Sequence, residues 1–220
     1  DPEANIIVVN SGRDGATRNY LKNSTQIRLI DSLDRLSFSQ AVNRGLRASQ
    51  NDVVILNNDT IVGKNWLKPL QDSPYDITNP LSNCDKGWIH DFNLAYFDPN
   101  AGPVELVPNM FDGSVNPQIL MDMPSPKTGT LDRNQPGQAW VAFYATYIKR
   151  QVIEQTGYLD EDFVNGGEDY DFCRRAVKHG HTCGHVFDSF VFHYGGKTRK
   201  ISEEENYVQH HKEDDLNNAY

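Results

Sequence analysis

Long apolar runs are missing from this 220-residue chain. None approaches the roughly 18 apolar residues that a membrane-crossing helix needs, so no transmembrane segment is expected. The polar opening Asp1-Pro2-Glu3-Ala4-Asn5 does not read as a signal peptide. Cysteine is scarce. Cys84, Cys173 and Cys183 form an odd, widely spaced set without a CxxC, which reads most simply as reduced thiols in a cytoplasmic compartment. Positive charge is in deficit as well. Lys plus Arg is 21 against 30 for Asp plus Glu, a net charge of −9, which disfavours nucleic acid and anionic membranes as partners. What the chain does contain is a core. Hydrophobic residues make up 38%, with 10 Phe, 10 Tyr and 3 Trp, so wholesale disorder is excluded and one large domain or two small ones are expected.

The first 71 residues read as alternating strand and helix. The runs 6–9, 27–30 and 53–56 are short, apolar and β-branched, as strands buried on both faces would be. A helix is expected over 17–22. A second follows Ser37 as N-cap, with Phe38, Ala41, Val42 and Leu46 on one face. This alternation argues for an open, mostly parallel α/β sheet flanked by helices. Residues 72–138 differ, holding most of the chain's 11 prolines and many Asn, Asp and Gly. They read as irregular cover over a site. Residues 139–200 return to regular structure: a strand over 139–145, helices over 149–156 and 168–179 stopped by Gly157 and Gly180, and a strand over 186–192. Residues 201–220 form an acidic tail.

Three places can carry chemistry. Asn57-Asn58-Asp59 closes a buried strand, where ligands of open α/β sheets bind. It is either a turn or an anchor for a hard divalent cation shared with phosphates. Glu168 and Asp169 open a helix. Asp169 is in register with the apolar Phe172, Cys173 and Ala176, which would set it on the buried side with Glu168 and Asp171 on the flanks. That placement fits a general base, and also the ordinary enrichment of acids in a first turn. His193 ends the last strand, just before Tyr194-Gly195-Gly196-Lys197. It is either a structural histidine or a partner for Asp59 on a metal. The glycine turn and Lys197 could also meet a phosphate.

The order of these signals is distinctive. Phe38 to Asn43 with Gly45, then Asn51 to Asp59, Trp66-Leu67, Gly157 to Phe163, Glu168-Asp169 and His193 together resemble a family 2 glycosyltransferase. The rhamnosyltransferase-like branch, which builds surface glycans, is the most similar. The resemblance implies a GT-A fold in one domain, 1–71 serving as the nucleotide-sugar half and 139–200 as the acceptor and catalytic half. It also implies metal-dependent, inverting transfer, of hexosyltransferase type, from a UDP- or dTDP-linked sugar to a glycan or lipid-linked acceptor. Asp59 and His193 match its metal ligands for Mn²⁺ or Mg²⁺, with Asn57 in place of the first acid of Asp-x-Asp. Asp169 matches the catalytic base, with Glu168 beside it. Asn10, Ser11, Ala41, Asn43, Arg44, Asn57 and Asn58 match positions bordering the donor. The family's first strand would precede Ile6 and is absent from these residues. That absence leaves a non-catalytic sugar- or nucleotide-binding module as the alternative.

Overall fold

The computed structural model describes residues 4–12, 14–82, 129–134, 139–164 and 166–193. The acidic tail 201–220, Lys197 with its glycine turn, and most of 72–138 lie outside them.

The amino-terminal elements are β1 (Ile6–Asn10), α1 (Gly15–Asn23), β2 (Ile27–Asp31) and α2 (Phe38–Ala48). Asp14 caps α1 by accepting from the Thr17 N–H. Ser37 caps α2 in a full capping box with Gln40, which satisfies two backbone donors that a helix start otherwise leaves open. β1 and β2 pair in parallel as a separate two-stranded sheet. Then come β3 (Val53–Leu56), β4 (Thr60–Val62), α3 (Leu67–Asp72), β5 (Ile77–Leu81), β6 (Thr130–Asp132), β7 (Ala145–Ile148), α4 (Arg150–Thr156), α5 (Glu168–Lys178) and β8 (Cys183–His193). Their strands form a second sheet in the order β3-β7-β5-β8-β4, with β6 also on β8. β5 and β8 run parallel, and the antiparallel members are β7, β4 and β6.

Side chains alternate across the second sheet as strand geometry requires. Val53, Ile55, Ile77 and Ile148 face one apolar cluster with Leu46 of α2, Val152 and Ile153 of α4, and Phe172 and Ala176 of α5. Val54 and Tyr147 face the other side, against Leu67 and Leu70 of α3. The expected α/β sheet flanked by helices is therefore present.

Two expectations give way. The aromatic run 139–144 is not a strand. Ala139, Val141, Phe143 and Tyr144 are buried, but the backbone turns over α5 and strand pairing begins only at Ala145. Burial and apolar composition are common to strands and to buried irregular chain, so periodicity could not separate them. Residues 77–81, read as part of an irregular stretch, form the fully buried strand β5 between β7 and β8. Pro80 hid it, because proline lacks the N–H that a ladder uses. The β5–β8 register shifts between Pro80 and Leu81, which accommodates the missing donor.

Candidate functional site

The turn after β3 and the end of β8 are brought together by the short β4. In the antiparallel β4–β8 pairing Thr60 stands opposite His193. The turn is held from within by the Thr60 hydroxyl donating to the Asn57 carbonyl at 2.6 Å, and from outside by the Asn57 N–H donating to the Tyr144 carbonyl at 2.8 Å. Asp59 is thereby set against His193, Oδ1 to Nε2 at 3.0 Å, with both side chains largely buried. The Tyr144 ring stacks on the imidazole at 5.1 Å, fixing its plane. A hard carboxylate oxygen and an imidazole nitrogen converging on one point suit a first-row divalent cation. Among the described residues no cluster of three or more His, Cys, Asp or Glu could hold a metal, so any further ligands would have to come from elsewhere.

α5 starts at Gly167, whose φ of 91° lies in the left-handed region that glycine tolerates. A Cβ there would sit 3.0 Å from the Phe163 ring. Glu168 and Asp169 follow, and both line the same open cavity of about 2700 Å³ as Asp59 and His193. Asp169 is half-buried with protein packed round its carboxyl, and Glu168, expected on the flank, is buried. Asp171 lies on the flank as expected, paired with Arg175 at 2.7 Å. Protein packed around the Asp169 carboxyl raises its pKa above the ordinary 3.8. Hydrogen bonds from the Trp140 indole and from the Tyr170 and Phe143 backbone oppose that shift.

Most of the remaining expected residues reach the cavity. Asn10, Ser11 and Ala41 line it, as do Asn57 and Asn58. Asn10 is buried at the end of β1, donating to Asp31 at 2.9 Å and accepting from the Gly12 N–H at 3.2 Å. Two residues do not line it. Asn43 is buried and committed elsewhere: its amide donates to the Leu159 carbonyl (2.8 Å) and to Glu161 (2.9 Å) and accepts from the Leu159 N–H (3.0 Å). Arg44 lines a neighbouring cavity of about 400 Å³ with Arg35 and Arg47. Sequence reasoning missed Trp140, Tyr144 and Asp31. The first two were absorbed into the expected strand, and Asp31 is singled out only by the parallel register that sets it beside Asn10.

Comparison with known proteins follows the same lines. No protein-family model matches the chain, and no curated protein matches it either. Solved structures do. The chain resembles GalNAc-T7 crystallised with UDP, GalNAc and Mn²⁺, with a TM-score of 0.56 and 16% identity, over 86% of this chain and 37% of that one. It also resembles the mannosyltransferase PcManGT from Pyrobaculum calidifontis in complex with GDP-Man and Mn²⁺ (0.54, 17%, 88% and 48%). A third is TarS of S. aureus (0.53, 11%, 93% and 32%). The chain thus spans less than half the length of each. At these identities the likeness establishes the fold, and the fold is that of the GT-A glycosyltransferases.

Proposed function

We propose that this chain is the catalytic domain of a metal-dependent, inverting glycosyltransferase that uses a nucleotide-diphosphate sugar. One observation carries the reading. Asp59 and His193, 134 positions apart, meet at 3.0 Å in a cavity that also holds Glu168 and Asp169. In the neighbours of the same fold, two of the structures contain Mn²⁺ with UDP or GDP-Man.

Asp59 and His193 would hold Mn²⁺ or Mg²⁺, which supplies charge neutralisation of the departing diphosphate when bound. Asn10 and Ser11 would border the nucleoside, and Ala41, Asn57 and Asn58 the rest of the donor. Asp169 takes the proton of the acceptor hydroxyl. The freed oxygen bonds to the anomeric carbon from the face opposite the diphosphate, and the bond from that carbon to the diphosphate oxygen breaks. Inversion follows from the single displacement, and no protein nucleophile is needed. A carboxylate with a raised pKa is a stronger base than an ordinary one, which is the useful direction. Glu168, deeper in the same wall, is the second acid in reach of that role.

The finer assignments belong to the same proposal: a hexosyltransferase of the rhamnosyltransferase-like branch, acting in the cytoplasm on surface glycans, with a UDP- or dTDP-linked donor and a glycan or lipid-linked acceptor. A non-catalytic sugar- or nucleotide-binding module is the second reading, favoured by Asn57 standing where the family's metal motif has its first acid. Among the described residues no helix is long and apolar enough to cross a membrane.

Thermal unfolding with UDP, dTDP, GDP and CDP, each with and without Mn²⁺, tests the reading. A ligand at 100 times its Kd stabilises the folded state by about 2.7 kcal/mol. One nucleotide should raise Tm only when Mn²⁺ is present, and Asp59→Ala should abolish the rise. No rise with any of the four would remove the donor site. With the donor class in hand, Asp169→Asn should lose sugar transfer at least a hundredfold while keeping the nucleotide-dependent rise. Retained transfer would move the base to Glu168.

A further inference from the structure

Asp59 and His193 come from different parts of the chain, and each needs support to face the other. The torsion that sets the plane of an imidazole has a broad well, so a histidine at a strand end takes its orientation from its neighbours. Asp59 lies two residues past Asn57 in its turn and moves with it. One residue touches both sides. Leu56 stands opposite Ala145 in the β3–β7 pairing, so the next step of that ladder sets Tyr144 against Asn57, whose N–H donates to the Tyr144 carbonyl at 2.8 Å. The Tyr144 ring lies on the His193 imidazole, with centroids 5.1 Å apart and planes 15° from parallel. Its hydroxyl donates to the Pro80 carbonyl at 2.6 Å, where the β5–β8 register shifts.

Tyr144 is itself buried, and the bend that presents it is fixed from within. The Ala142 carbonyl accepts from the Tyr144 N–H at 3.0 Å and from the Thr146 hydroxyl at 2.9 Å, and the Asn79 amide of β5 donates to the same oxygen. The residue before Tyr144 serves the other half of the site. The Phe143 ring packs edge-on against Phe172 at 5.7 Å, three residues along α5 from Asp169, and the Phe143 N–H donates to the Asp169 carboxyl. Two consecutive residues thus brace the Asp59–His193 pair and the acidic end of α5.

What the brace maintains is a spacing. Two adjacent ligands of a six-coordinate cation, with bonds of about 2.1 Å, stand about 3 Å from each other. Asp59 Oδ1 and His193 Nε2 are 3.0 Å apart. We propose that Tyr144 is the positioning residue of this pair: its ring fixes the imidazole and its carbonyl fixes the Asp59 turn, so that one divalent cation meets both donors without rearrangement of the chain. The inference rests on the reading of Asp59 and His193 as metal ligands and adds the residue that makes them one site. Within the Tyr144 side chain the ring serves the cation, because it touches a ligand, and the hydroxyl serves the fold, because it ties β5. Groups that orient metal ligands contribute about 10–100-fold to metal affinity.

Titration of the purified 220-residue chain with Mn²⁺ alone, free Mn²⁺ being read by electron paramagnetic resonance, measures that affinity without sugar or turnover. Tyr144→Phe keeps the ring and the backbone contact and loses the Pro80 bond. It should lower the urea midpoint yet bind Mn²⁺ within about threefold of the parent, well short of what loss of an orienting group costs. Tyr144→Leu loses the ring and should bind at least about tenfold more weakly. Tyr144→Met, a flexible side chain that fills the same space, should do likewise and covers the case in which the leucine variant does not fold. Lost stability by itself leaves the affinity of the folded protein unchanged, so circular dichroism restricts the comparison to folded variants. Parent-like affinity in the variants without the ring, or equal weakening in Tyr144→Phe, overturns the proposal. A parent chain that takes up no Mn²⁺ overturns the metal reading of Asp59 and His193 and this inference with it, whereas parent binding that survives loss of the ring overturns this inference alone.

Discussion

His185 sits within β8 with almost no exposed surface, and its imidazole is pushed down to about 3, by burial first and by the positive charge of Arg133 second. The unfolded chain binds that proton near pH 6.5, while the folded chain stays neutral. Stability is therefore full above 6.5 and is lost as pH falls towards 3. At 1.36 kcal/mol per unit, the loss from pH 7 to pH 5 is on the order of 2 kcal/mol. Asp169 works in the opposite direction. Its folded pKa is raised, so its contribution is present below 3.8 and declines as pH rises through the folded value. Urea unfolding at pH 7 and pH 5 should show the His185 loss, and His185→Gln should flatten the difference whatever its effect at pH 7. Equal pH slopes in the two proteins would show that His185 is not the titrating group. Nothing in the sequence around His185 marks it. Its neighbours announce a strand, and the burial that shifts it comes from elements distant in the chain.

At the scale of elements, α2 shows what is local and what is not. Ser37, Gln40 and the spacing of Phe38, Val42 and Leu46 specify the helix and its apolar face from eleven consecutive residues and a cap. Asn43 does something that no local pattern shows. It closes three hydrogen bonds onto Leu159 and Glu161, and Ser39 adds one to the Phe163 carbonyl at 3.0 Å. These bonds fix the segment that leads through Gly167 into α5, and with it the positions of Glu168 and Asp169. Asn43→Ala would leave the buried Leu159 N–H and C=O without those partners, at about 1–3 kcal/mol. Chemical denaturation should show that loss. An unchanged midpoint would mean that the segment 157–163 is held by other contacts. The strand β7 makes the converse case, since the run 139–145 is apolar enough for a strand and only its tail becomes one.

At the scale of the molecule, the described residues form a two-stranded sheet and a six-stranded one. A two-stranded sheet is marginal without support, and β1–β2 relies on α1 and α2 for it, whereas β5 lies fully buried between two neighbours. Native-state amide exchange should therefore be faster in Ile6–Asn10 than in Ile77–Leu81, through local opening that leaves the larger sheet intact. Equal protection would show that the two sheets open as one unit. What the sequence determined by itself was the α/β class, the elements β1, α1, β2, α2 and β3, and the residue types gathered at strand and helix ends. Apolar periodicity, caps and turn residues act over a few positions and can be read there. The tertiary structure decided the rest. It set Asp59 on His193 through a pairing of β4 with β8, buried Glu168 more deeply than Asp169, drew Asn43 away from the cavity, and placed proline-bearing β5 at the centre of a sheet. Each of these depends on partners far apart in the chain, whose register and burial are fixed only when the sheet and its helices pack together.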